Sequence, residues 1–129
     1  MKRFTDMYKK NNHSGLSFNA KITKTFRKAE SLSSEMIEAI EHKNFEQRCQ
    51  NSEEIIRLMV QLYDTFSPKV PKGIDISMQK YCIGNINLLT KINLKNDKDL
   101  AITLKQSFFE VGNMWESYKD LNPVTDDLT

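Results

Sequence analysis

Ile92-Asn93-Leu94-Lys95-Asn96-Asp97, followed by an amphipathic run that ends in Trp115, the only tryptophan, is the stretch whose reading decides the fold. Its polar centre breaks one helix and starts another, with Asn96 placed to cap and Asp99 three residues on reaching back as in a capping box. Beyond it, apolar residues fall at Ala101, Leu104, Phe108, Val111, Trp115 and Tyr118. Steps of three and four residues put all six on one stripe, so this helix buries a seam with three aromatics against partner helices.

The rest of the chain supplies those partners. Ser17 is a plausible cap for a first helix over about 18–42, with Phe18, Ile22, Phe26, Ala29, Leu32, Met36 and Ile40 inward. His42-Lys43-Asn44 makes a tight corner, and Asn44 with Gln47 repeats the capping-box spacing. A connection this short makes the second helix, about 45–66, antiparallel to the first. Its expected stripe is Phe45, Cys49, Ser52, Ile56, Met59, Tyr63 and Phe66, widened by Ile55, Leu58 and Leu62. Pro68 and Pro71 end it. Asp75 is placed to cap a third helix, about 75–93, with Met78, Tyr81, Cys82, Ile86, Leu89 and Ile92 inward and Ile74, Ile76, Ile83 and Leu88 around them. The fourth spans about 97–119 and stops before Pro123. The expected fold is therefore all-α: an antiparallel four-helix bundle over 17–121, a mobile N-terminal segment over 1–16 and a C-terminal tail over 122–129.

Composition agrees with that expectation. A chain of 129 residues suits one domain with a core that needs no disulfide or metal, and four Gly with three Pro are too few for a loop-rich β protein. Cys49 and Cys82 stand on apolar stripes without a CxxC or Cys/His spacing, and are expected as buried free thiols in a reducing cytoplasm. No run approaches the roughly 20 apolar residues of a membrane span, and the first residues lack the apolar core of a signal peptide, so a cytoplasmic location is expected. The net charge of +2 divides unevenly: residues 1–30 carry eight Lys/Arg and two acids, and residues 31–129 eleven and fifteen. The basic end could meet an acidic protein, a membrane-surface apparatus or nucleic acid, or be a solvated face and tail.

Several motifs in joint register resemble one family. Ala39-Ile40-Glu41, then Asn44 and Glu46, resembles an Ala-Ile-Glu-x-x-Asp-x-Glu corner; Asn93 to Asp97 resembles an Ala-Asn-x-x-x-Asp turn, with Trp115 at the family's tryptophan position 22 residues beyond Asn93; and Tyr8-Lys9-Lys10-Asn11 resembles an N-terminal Tyr-Gln-x-Asn. These are features of the flagellar export chaperone FliS family, and the similarity spans nearly the whole chain. It departs where the family has Pro-x-Glu-Leu-Ile and Leu-Tyr-Asp-Gly in helix one, of which only Ile22 and Phe26 survive, and at the Gly-Gly-Glu after helix two, where this chain has Lys72-Gly73-Ile74-Asp75. The resemblance implies a divergent member: a cytoplasmic chaperone that binds the disordered C-terminal region of flagellin or a flagellin-like secreted protein, prevents premature polymerisation and delivers it to the export apparatus. It also implies that Tyr8 serves docking at the export gate or covers the client groove.

Chemistry of other kinds finds little footing. His13 and His42 lack the Cys, Asp or Ser arrangements of nucleophilic or general-base catalysis, no Glu-x-x-His pair marks a di-metal core, and there is no phosphate-binding glycine loop. No enzyme, metal or cofactor is expected. Lys21, Lys24, Arg27 and Lys28 share a polar face of helix one that could meet phosphates, but no helix-turn-helix or RNP pattern accompanies them, and nucleic acid is not the expected partner. Helix three is apolar on more sides than a bundle core uses. The expected client-binding residues are those beside the inner stripes: Ile55, Leu62, Ile83, Leu88, Phe109 and Met114. The alternative is a bundle adaptor that uses the same surplus to dimerise; a monomer or weak homodimer without stable membrane insertion fits either reading.

Overall fold

A computed structural model describes residues 17–66 and 73–118. Four helices make up nearly all of them: α1 (Phe18–Glu41), α2 (Phe45–Thr65), α3 (Ile74–Lys95) and α4 (Lys98–Ser117). Their ends fall within two residues of those expected from periodicity. The expectations for residues 1–16, including Tyr8, and for the tail over 122–129 lie outside the described residues. Sequential helices pack side by side, and α1 against α4 closes the square. Contacts at both ends show α1 antiparallel to α4: Asn19 Nδ2 donates to the Tyr118 carbonyl, and Lys98 Nζ stands 2.6 Å from Glu41 Oε2. The result is an antiparallel four-helix bundle.

The short corners are built from specific backbone bonds. At the end of α1 the Lys43 N–H donates to the Ile40 carbonyl and the Asn44 N–H to the Ala39 carbonyl, with Lys43 in the left-handed region at φ 57°. That is the paired 5→2 and 6→1 closure of a Schellman motif, and Asn44 then caps α2 by accepting from Gln47 N at 3.2 Å. The second corner corrects the sequence reading by one position. Asn96 is the left-handed C-cap of α3 at φ 51°, and Asp97 is the N-cap of α4, accepting from Leu100 N at 3.1 Å. Asparagine tolerates the left-handed conformation better than most residues, which frees the aspartate for the exposed N–H groups. Likewise Asp75 does not cap α3: Gly73, at φ 97°, occupies that position and Asp75 accepts from Ile76 N at 2.7 Å.

Two aromatic groups centre the core. At one end Trp115 packs on Phe66 (centroids 5.4 Å), Phe18 (6.2 Å) and Tyr118 (5.2 Å). Midway, Phe26 meets Tyr81 and Phe108, each at 6.1 Å. On α4 the inward stripe is as expected, except that Gly112 is buried while Val111 is half-buried and Tyr118 exposed. A Cβ at Gly112 would lie 2.9 Å from Arg27 Nη1 and 3.2 Å from Phe26 Cβ, so the missing side chain is what lets α1 and α4 approach.

Gly84, exposed in the middle of α3, has nothing within 4 Å of its would-be Cβ. The two glycines should therefore respond oppositely in urea unfolding. Gly84→Ala is expected to stabilise by about 0.5–1 kcal/mol through helix propensity, and Gly112→Val to destabilise by about 1–3 kcal/mol through overpacking.

Candidate functional site

Helix two is rotated relative to its expected stripe. Its buried side is Arg48, Asn51, Ser52, Ile55, Met59, Leu62, Thr65 and Phe66, whereas Phe45, Cys49 and Tyr63 are exposed and Ile56 is half-buried. Ile55 and Leu62, expected beside the seam and open to a client, are fully buried core residues at 0% exposure. The reason lies in which neighbours flank α2. Asn51 Nδ2 donates to Glu35 Oε1 of α1 at 3.1 Å, and Ser52 Oγ to Asn93 Oδ1 of α3 at 2.8 Å. The inward direction lies between those two contacts, and Ile55 and Leu62 fall there.

The other four expected residues occupy separate places. Leu88 is half-buried, seven residues from Tyr81, whose hydroxyl bonds Ser107 Oγ of α4 at 2.7 Å. It therefore lies on the edge towards α4. Met114, exposed and seven residues beyond Ser107, lies on the same α3–α4 side but towards the other end, about 20 Å from Leu88 at 1.5 Å rise per residue. Phe109 is 42% exposed but on the opposite edge of α4: Asn113, one turn on, accepts from Arg27 Nη2 at 2.6 Å, and Arg27 Cζ stands 5.8 Å from the Phe109 ring centroid. The six expected residues do not form one groove.

Ile83 belongs to a surface that periodicity did not single out. Gln79 Nε2 donates to the Tyr63 carbonyl at 3.2 Å, so it marks the edge of α3 that faces α2. Ile76 and Ile83 stand three residues before and four after Gln79, in the same row; Ile56 and Val60 share the row of Tyr63 on α2. Ile76 is 53% exposed, Ile83 and Val60 47% each, and Tyr63 37%. Exposed Leu94 continues the α3 row and exposed Phe45 the α2 row towards the opposite end. Tyr81 to Thr90 holds no charged residue, although Ile83, Gly84, Asn87 and Thr90 all reach solvent. Exposed Lys80, four residues after Ile76 and three before Ile83, is the charged member of that row, and the large apolar side chains left exposed around it are of the physical type found at partner surfaces.

At the α3–α4 corner a polar group anchors this face. Arg48, 7% exposed, donates through Nη1 to the Asn93 carbonyl at 2.9 Å and to Asn96 Oδ1, supplying a cation and donors to the C-terminal turn of α3. Ser52 holds the Asn93 side chain, so the corner asparagines are structural. The basic face of α1 is also altered: Lys21 is buried, and burial pushes its pKa down to about 8, while Arg27 bonds Glu30, Asn113 and Glu116. Among the described residues, Lys24 and Lys28 are the two of the four expected cations that are exposed. Cys82 is buried, its thiol pushed up to about 12 by desolvation; Cys49, against expectation, is exposed, because it lies on the side of α2 rotated outward.

Among the described residues, no cluster of His, Cys, Asp or Glu could hold a metal ion, and no helix is long and apolar enough to cross a membrane. Fold and surface together define a helical-bundle domain with an exposed apolar face on its α2–α3 side. Neither the sequence profiles of known protein families nor the curated proteins provide a match to the chain.

Proposed function

We propose that this chain is a cytoplasmic, non-enzymatic chaperone of the flagellar export kind, which holds an amphipathic segment of flagellin or a flagellin-like secreted protein on its α2–α3 face until an export apparatus takes it over. The observation that carries the reading is the exposed apolar pair of rows, Ile56, Val60 and Tyr63 beside Ile76 and Ile83. Segments that are disordered alone and helical when assembled bury an apolar stripe spaced by three and four residues, and two parallel apolar rows offer the complementary groove. Each well-buried apolar anchor contributes roughly 1.5–3 kcal/mol, so a few anchors outweigh the cost of ordering the client and reach micromolar affinity. The motif register described from sequence supports the flagellar identity of the client, and the role implied for Tyr8 in docking or groove covering stays part of the proposal.

Calorimetry with a peptide from the C-terminal region of flagellin tests it. The parent chain is expected to bind, and Ile83→Asp to weaken binding at least tenfold with helical circular dichroism and melting unchanged. Phe109→Asp, on the α1–α4 side, is expected to retain binding. A chain that ignores the peptide and forms a dimer broken by Ile83→Asp would instead establish the adaptor reading, in which the same face meets a second copy.

A further inference from the structure

We infer that a second copy of this chain closes the α2–α3 face, across a two-fold axis that runs parallel to the helices between α2 and α3. The inference uses the face proposed above for a client but does not rest on that reading. It comes from how charge is divided across the face. On α2, Asn51 meets α1 and Ser52 meets α3, so the exposed Glu53, about 100° further round, points out of the bundle beside the apolar row. Glu46, two turns before it, and Asp64, three turns after it, fall on the same line, with Arg57 the one base among them. On α3, Gln79 and Asn93 face α2, while Lys80 and Lys91, three turns apart, are exposed and lean to the solvent side. Ile56, Val60 and Tyr63 of α2 and Ile76 and Ile83 of α3 fill the middle. The face is therefore acidic along one edge and basic along the other.

The two edges also match in level. Helices α2 and α3 are antiparallel, with Ser52 level with Asn93 and Tyr63 level with Gln79. That sets Glu53 level with Lys91 and Asp64 level with Lys80, each to within about 3 Å along the axis. Among the described residues, neither lysine nor Asp64 has an ion-pair partner, and Glu53 has only Arg57 of its own helix, at 3.8 Å. A two-fold axis parallel to the helices keeps every level and lays α2 of one copy antiparallel on α3 of the other. Apolar rows then meet apolar rows, Glu53 meets the partner's Lys91 and Asp64 the partner's Lys80, each pair occurring twice. An axis across the helices would set α2 on α2, with acid against acid. A surface that meets itself must carry both members of every pair, and this one does. Two helices about 30 Å long and about 10 Å wide offer about 600 Å² on each copy, less than a standard interface, so the dimer is weak and reversible.

Sedimentation equilibrium of the full chain at low salt, with no peptide present, tests the inference. A monomer–dimer equilibrium is expected. Lys91→Glu and Glu53→Lys are each expected to weaken self-association at least fivefold, because each turns two attractive pairs into repulsive ones. Both positions are exposed, so circular dichroism should match the parent. Mixed in equal amounts, the two variants are expected to form a heterodimer within about threefold of the parent affinity, since every Glu then faces a Lys again. Contacts within one chain cannot produce that recovery. A chain that stays monomeric at millimolar concentration, a dimer indifferent to both charge reversals, or a mixture no tighter than its separate components would overturn the inference. Failure of the flagellin peptide to bind would count against the client reading alone and leave these results as they stand.

Discussion

Leu62→Asp is expected to abolish the cooperative unfolding transition, while Ile83→Asp, the same chemical change on the neighbouring helix, is expected to stay within about 1 kcal/mol of the parent. Leu62 is completely buried within the apolar core cluster. Even Leu62→Ala removes enough buried surface to cost about 2–5 kcal/mol. A desolvated, unpaired carboxylate adds several kcal/mol, which together approaches the whole stability of a domain this size. Ile83 reaches solvent, so its aspartate stays hydrated. Circular dichroism in a urea series measures both. A folded, cooperatively melting Leu62→Asp protein would show that helix two is not phased as described, and would return Leu62 to the surface.

Trp115→Ala is expected to cost about 3–5 kcal/mol, the usual range for removing a buried large aromatic. Its ring lies between helices α1 and α2 through Phe18 and Phe66, so its loss leaves a cavity where three helices meet. Trp115→Phe should recover most of that stability, since it keeps an aromatic ring and deletes an indole N–H that has no hydrogen-bond partner among the described residues. Urea denaturation at constant slope separates the pair. A loss below about 1 kcal/mol for the alanine variant would mean that the aromatic end of the bundle tolerates disorder and is not a packed core.

Much of the architecture was legible because each signal acts locally. The Asn44 cap reads directly from the sequence, and the α3–α4 corner does so to within one residue; the inward stripes of α1 and α4 follow from spacing of three and four. Helix two was not legible in the same way. Ile55, Ile56, Leu58, Met59, Val60, Leu62 and Tyr63 are apolar around well over half of its surface, so a hydrophobic period has no single best phase there. Two of its polar buried residues mislead further: Arg48 and Asn51 stand off the expected stripe, yet both are inward, Arg48 donating to Asn93 and Asn96 and Asn51 to Glu35. Phe109 and Met114 show the limit on α4, since both flank the seam but on opposite edges.

By itself, then, the amino-acid sequence determined that four helices form, where they begin and end, and that they return on one another, because capping, breaking and periodic burial depend on residues a few positions apart. The tertiary structure decided which edge of α2 turns inward, that Ile55 and Leu62 are core, and that the exposed apolar rows lie between α2 and α3. It also decided that Trp115 lines one cleft with Asn19 and Thr23, which lie 96 and 92 residues before it. Those outcomes depend on which neighbour flanks each helix, and that choice is made by packing across the whole bundle.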